Sequence, residues 1–328
     1  MALTKKEIID KNFKDSGMFV NNVEELSPDW VSSGLLTFDI ATQPHSGAGG
    51  FPLGKIVEIF GEEESGKTTL ALSLIASALK EGLDITFFDT EHSYNPDYAK
   101  NCYGIDNSKI DFSHCRHGQK IFDMIEAFAA NQATDIIVID SVHGVSSSQI
   151  LDASNEDDQI AADPRMWSKG LKKINGPLAR NKIMLVLINQ TRIDIKKTFG
   201  DPNKSTGGKA IKFYSDMRIQ VRKSKKHTSG KGKDRVVHGH DIIYHIKKNK
   251  VGQGGHTAVA TLYYGKGLDE AEDIKEAGMK SGILERAGTW YRWNDKVKGQ
   301  GKDNFYQNLK KENLCEDFVK AVKEKAFN

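Results

Sequence analysis

The chain has 328 residues, 38% of them hydrophobic, and a formal net charge of +3, which is enough to bury one large core with a small appendage and too little charge to identify a partner globally. No apolar run approaches the length of a membrane span, and the first ten residues are polar and charged, so neither a membrane anchor nor a secretion signal is expected. The three cysteines, Cys102, Cys115 and Cys315, are odd in number and scattered, which excludes a secreted disulfide framework and fits a reducing cytoplasm.

In chain order, residues 5–13 have the spacing of a short amphipathic helix and 21–30 form a polar connector, so residues 1–32 are expected to be an arm. The Gly-rich stretch 46–54 marks a turn. Beyond it, apolar and β-branched runs predict strands at 55–60, 85–88, 135–139 and 182–188, with helices at 68–80 and 121–131 between them. This alternation predicts a doubly wound α/β core with a largely parallel central sheet. Strands at 217–221, 241–246 and 257–263 follow without intervening helices and predict an antiparallel extension, with 223–237 a polar, basic loop. After Gly267 the pattern changes to short helices at 270–279 and 313–327 around Trp290, Tyr291 and Trp293, which are expected in a core. The division is therefore an arm (1–32), a core (33–267) and a small C-terminal domain (268–328).

Gly61-Glu62-Glu63-Glu64-Ser65-Gly66-Lys67-Thr68 matches the phosphate-loop pattern, placed after one predicted strand and opening a helix whose next residue is Thr69. The glycines let the backbone wrap so that its N–H groups meet phosphate oxygens, and the helix N-terminus adds partial positive charge. Lys67 is expected to neutralise the outer phosphates of ATP and Thr68 to hold Mg2+. A dinucleotide loop is excluded, because the glycines at 47–50 precede their strand and lack the third glycine at the required spacing.

Residues 136–139 form an apolar run that delivers Asp140 at a strand's C-terminal end, where it suits the magnesium shell. Glu91 follows another strand end, where a carboxylate can orient and deprotonate the attacking water. Gln190 follows a third, where its amide can sense the γ-phosphate. His114, Cys115 and His117 crowd one short stretch without a second ligand cluster and are read as surface and turn residues rather than a zinc site.

Two basic regions suggest where nucleic acid lies. Residues 191–206, with Arg192, Lys196, Lys197 and Lys204, form a long polar segment between a strand and a helix. Arg165, Ser168 and Lys172 lie at helical spacing and can grip a phosphate backbone from one face.

Taken together, these residues resemble the bacterial RecA recombinase family, including its virus-encoded members, from about Ser33 to Trp293. The resemblance rests on Phe51-Pro52-Leu53-Gly54-Lys55-Ile56-Val57-Glu58-Ile59 leading into the phosphate loop, and on Asp89-Thr90-Glu91-His92, Ile139-Asp140-Ser141-Val142 and Ile188-Asn189-Gln190. It rests further on Thr206-Gly207-Gly208-Lys209-Ala210-Ile211-Lys212-Phe213-Tyr214 and Lys248-Asn249-Lys250. It implies that Glu91 is the general base, that Gln190 couples the γ-phosphate to a second DNA loop, that Tyr98 stacks on adenine, and that Tyr264 and Gly265 lie near the nucleotide. It also implies that Lys248 and Lys250 reach a neighbouring subunit's ATP and that the arm serves oligomerisation. In the DNA loops it places Ile160 and Ile195 as wedges between bases, with Gly207, Gly208 and Lys209 at the backbone, and it makes Lys296, Lys298 and Lys302, which are expected in a Gly-rich turn, part of a duplex-capturing surface.

The sequence departs from the family pattern, most visibly within the core. Asn95 stands where the family has an adenine-contacting aspartate, and residues 152–164 carry five carboxylates and no Lys or Arg. The expected function is a filament on single-stranded DNA that exchanges strands with homologous duplex DNA and hydrolyses ATP at subunit interfaces. A ring helicase of the same fold is disfavoured because no loading domain is present. A DNA-coating protein that uses ATP only as a switch would lack DNA-stimulated hydrolysis.

Overall fold

The computed structural model describes residues 27–44, 47, 49–151, 162–193, 203–205, 208–230 and 234–327. The expected arm up to residue 26, and Ile160, Ile195, Lys196, Lys197 and Gly207, lie outside them. A short ribbon of β1 (Trp30–Val31) and β2 (Phe51–Pro52) flanks α1 (Leu36–Thr42). The doubly wound core follows as β3 (Ile56–Gly61), α2 (Lys67–Lys80), β4 (Ile85–Asp89), α3 (Pro96–Tyr103), β5 (Ile110–Ser113), α4 (Gly118–Asn131) and β6 (Ile136–Asp140). After the short α5 (Ser148–Leu151) come α6 (Ala162–Arg180), β7 (Met184–Ile193), β8 (Asn203–Ser205) and α7 (Gly208–Tyr214). The sheet is completed by β9 (Met217–Ser229), β10 (Val236–Asn249), β11 (Thr257–Tyr263) and β12 (Gly267–Leu268).

The central sheet runs β12-β11-β10-β9-β3-β7-β6-β4-β5, with β8 paired to β7. Its parallel part contains the four predicted strands β3, β4, β6 and β7, together with β5, which was not predicted, and β9, which was expected in the antiparallel extension but pairs parallel with β3; β10 to β12 form the antiparallel extension. The strand period of two divides the core into two layers. Val57, Ile59, Val138 and Val186 face α2 with Leu70, Leu74 and Ile75. Ile56, Ile137, Ile139, Leu185 and Leu187 face α4 and α6 with Ile121, Ile125, Trp167 and Leu171. Helices on both faces explain why β3, β4 and β6 are buried at every position.

The basic stretch 223–237 is not a loop. It is most of a hairpin in which β9 runs to Ser229 and β10 begins at Val236, with Thr228 opposite Val237 and Lys226 opposite His240. Cross-strand backbone hydrogen bonds hold this extension while residues 222–226 stay exposed, so a polar sequence does not prevent a strand there. β7 likewise runs past its expected end, with Thr191 to Ile193 pairing with β8.

The C-terminal domain packs a separate apolar cluster that also takes in Leu36 and Ile40 of α1. It comprises α8 (Glu270–Lys280), a three-stranded sheet of β13 (Glu285–Ala287), β14 (Trp290–Trp293) and β15 (Val297–Gln300), then α9 (Gly301–Lys311) and α10 (Cys315–Phe327). The sheet and α9 escape the sequence reading, and alternation along β14 buries Tyr291 and Trp293 but leaves Trp290 exposed. Asp273 of α8 reaches into the core, where its carboxylate accepts from the N–H groups of Leu36 (2.6 Å) and Thr37 (3.1 Å) and caps α1. No helix among the described residues is long and apolar enough to cross a membrane.

Candidate nucleotide and DNA site

Parallel strands share one direction, so β3, β4, β6 and β7 all end at the same rim of the sheet. β3 ends in the phosphate loop, where Gly66 takes φ 100° and an added side chain would meet Ile242. Lys67 is buried and folds back so that its ammonium donates to the Glu62 carbonyl at 2.6 Å. Burial pulls the Lys67 pKa down, opposed by the nearby carboxylates of Asp140, Glu91 and Glu63.

The loop opens on a cavity of about 380 Å³ lined by residues 64–69, Lys223, His240, Leu262 and Tyr264. Lys223 pairs with Glu64 at 3.1 Å, and the His240 ring meets the Tyr264 hydroxyl at 3.2 Å. Lys223 and His240 were missed in the sequence: Lys223 lies in the expected loop 223–237 and His240 just before the expected strand 241–246, and no local motif marks either. Gly265, beside Tyr264, adopts φ 72°. Tyr98 does not line this cavity: it lies on α3, edge-on to Tyr103 at 5.8 Å. Asn95 caps that helix, accepting from the Tyr98 N–H at 2.9 Å.

The Thr68 hydroxyl donates to Asp140 at 2.8 Å. Asp140 is 5% exposed, and burial, with help from Glu91 and Asp89, pushes its pKa up to about 6 despite Thr68 and Lys67. A hydroxyl and a carboxylate crowded by further negative charge suit a hard divalent cation such as Mg2+, which takes few protein ligands beside substrate phosphates. Glu91 accepts from the Ser141 hydroxyl and from the Gln190 amide at 3.3 Å. The structure thus brings together Lys67, Thr68, Asp140, Glu91 and Gln190 and adds Ser141, whose only sequence signal is its place after Asp140.

Lys248 and Lys250 sit elsewhere. The Lys248 ammonium donates to the carbonyls of Lys212 (3.0 Å) and Phe213 (3.2 Å), and Lys250 pairs with Asp216 at 3.1 Å. Backbone bonds run from Lys250 to Asp216 and from Asp216 to Ile56, the first residue of β3, so the pair lies at the opposite rim from the phosphate loop. β3 has 6 residues, which separates the rims by roughly 17 Å. Lys209, Lys212 and the 72%-exposed Phe213 line a cavity of about 550 Å³ with the pair.

Arg165, Ser168 and Lys172 are all exposed on α6. Pro164 at its start lies beside Gly208, the first residue of α7. Arg192 lies in the β7 segment paired with β8. In the C-terminal domain Lys296 and Lys298 are exposed, Lys296 over the Trp293 ring at 5.0 Å. The three lysines do not share a turn: Lys298 is in β15 and Lys302 in α9, where Lys302 pairs with Asp269 and with Glu272, the latter at 3.2 Å. Lys302 therefore faces carboxylates.

A phosphate loop, a strand-terminal aspartate and a carboxylate–amide pair at one rim of a doubly wound sheet define a P-loop nucleoside triphosphatase. Residues 2–269 match the family model of the RecA N-terminal domain and residues 272–326 that of the RecA C-terminal domain. The chain is 36% identical over 325 residues to Protein RecA of Thermotoga neapolitana, covering 97% of this chain and 90% of that one. It is 38% identical over 309 residues to Protein RecA of Thermotoga maritima (92% and 84%), and 36% identical over 299 residues to that of Borreliella afzelii (91% and 80%). The chain belongs to the RecA family, and its function is that of an ATP-dependent DNA recombinase and DNA-dependent ATPase in recombination and repair.

Proposed function

We propose that copies of this chain assemble as a helical filament on single-stranded DNA and pair it with homologous duplex, each ATP bound between two subunits. One subunit supplies the phosphate loop, residues 61–69, with Lys67 against the outer phosphates and Tyr98, Tyr264 and Gly265 toward the base. Thr68 and Asp140 would hold Mg2+, which would offset charge on the phosphate oxygens. Glu91, oriented by Ser141 and Gln190, takes the proton of the attacking water. Lys248 and Lys250 of the next subunit compensate the charge that grows on the transferred phosphoryl group. Arg165, Ser168, Lys172, Arg192, Gly208 and Lys209, with Ile160, Ile195 and Gly207, meet the single strand, while Lys296 and Lys298 meet the duplex. The three free cysteines support a place in the cytoplasm.

The observation that carries this reading is the placement of the lysine pair at the rim opposite its own phosphate loop, which leaves another copy's nucleotide as its target. Mixing tests it. A Lys248→Ala/Lys250→Ala subunit and a Glu91→Gln subunit, each inactive alone, should recover part of the DNA-stimulated hydrolysis when co-assembled. No recovery at any ratio in shown co-filaments would refute the composite site.

A further inference from the structure

The face of the sheet covered by α4, α6 and α7 is largely apolar, and a hydrogen-bonded polar row crosses it. Glu58, in the middle of β3, is 0% exposed, and Arg218, opposite it on β9, is 8% exposed. The Arg218 guanidinium donates to the Glu58 carboxylate and lies over the Phe60 ring at 4.4 Å. On the other side, the Asn189 amide of β7 donates to Glu58 at 2.9 Å. The row ends at functional positions: Asn189 immediately precedes Gln190, and Lys248 stands opposite Arg218 on β10. Among the charged groups that act on Lys248 are Lys250, Asp216, Arg218 and Glu58.

Burying two charges removes their hydration, and their attraction roughly offsets that loss, so well-packed apolar side chains would hold this face together as well. Directional bonds do what apolar packing does not: they fix β7, β3 and β9 in one register at this level. We infer that Glu58 and Arg218 are positioning residues that join the Gln190 end of β7 to the Lys248 end of β10, so that one subunit's own phosphate sensor and the lysines it offers its neighbour are set together. Neither residue lines the phosphate-loop cavity. The inference rests on the composite-site reading and deepens it.

The test uses full-length Glu58→Gln, Arg218→Lys and the apolar replacement Glu58→Leu/Arg218→Met, compared on single-stranded DNA. Each folded variant should bind a fluorescent ADP analogue within about twofold of the parent, because the phosphate loop is untouched, while DNA-stimulated kcat falls about tenfold with KM little changed. The apolar double variant guards against a folding defect: it should melt near the parent and still fail to recover kcat. Parental kcat in any folded variant would overturn the inference while leaving the composite site standing. Failure of the mixing experiment with normal losses here would instead remove the lysines' action on the neighbour.

Discussion

The two halves of the central sheet use the same backbone chemistry to opposite ends. In the parallel half, β3, β4 and β6 are buried along their length and end level with Gln190 of β7, so residues as distant in sequence as Lys67, Glu91, Asp140 and Gln190 converge on one rim. In the antiparallel half, β10 runs the other way and carries Lys248 and Lys250 to the far rim. Strand direction therefore separates Lys248 and Lys250 from the chain's own phosphate loop, although the same half of the sheet also sends Lys223 and His240 to that loop's cavity.

The sharpest break of this comparison is at the near rim. Lys67→Ala removes the cation that faces the phosphates from within the same chain, so DNA-stimulated phosphate release should fall on the order of 10³-fold or more, together with the tight DNA-bound state. Retained ATP-dependent strand exchange would contradict the assignment. At the far rim, Lys248→Ala/Lys250→Ala should lower kcat on the order of 10²-fold while its affinity for a fluorescent ADP analogue, measured by titration, stays within about threefold. Comparable loss of nucleotide binding in both variants would erase the distinction between rims.

Asp273, at the joint with the C-terminal domain, offers a control away from both. Burial pushes its pKa up to about 6 from the usual carboxylate value of 3.8, outweighing the hydrogen bonds from Thr37 and Leu36, with Asp39 adding to the rise. Because the folded state binds the proton more tightly, the stabilisation is fully present below the unfolded pKa and is lost as pH rises through about 6. Between pH 4 and 7 the parent should lose up to about 3 kcal/mol of unfolding free energy relative to Asp273→Asn, as measured by denaturant titration. DNA-stimulated kcat at neutral pH should change little. A pH-independent difference between the two proteins would refute the shift.

The smallest effect concerns α6. If Arg165 and Lys172 each displace one counterion, either alanine variant should reduce the slope of log affinity against log salt for single-stranded DNA by about 0.7. An unchanged slope would mean that this face does not meet phosphate.

Much of this was legible in sequence where local periodicity and chemistry coincide. Residues 136–139 alternate between two apolar layers and end in an acid, and the phosphate loop announces itself through glycines whose geometry no other residue supplies. The extension of the β9–β10 hairpin beyond the expected strands 217–221 and 241–246 was not legible, because its residues 222–226 are polar and exposed, and its strand character comes from cross-strand pairing. With it went Lys223 and His240, two walls of the nucleotide cavity. Trp290, Tyr291 and Trp293 looked alike as an aromatic cluster, and only the register of β14 separates the exposed residue from the buried pair.

By itself the sequence determined the fold class, the phosphate loop and the identity of the acids and amide around it, because these depend on residue types at short, fixed spacings. Tertiary structure alone decided that Ser141 holds Glu91, that Asp273 caps a helix of the core, and that Lys248 and Lys250 lie at the far rim. Those facts depend on strand order and strand direction, which are set by how apolar layers pack across the whole sheet and leave no periodic trace in any one segment.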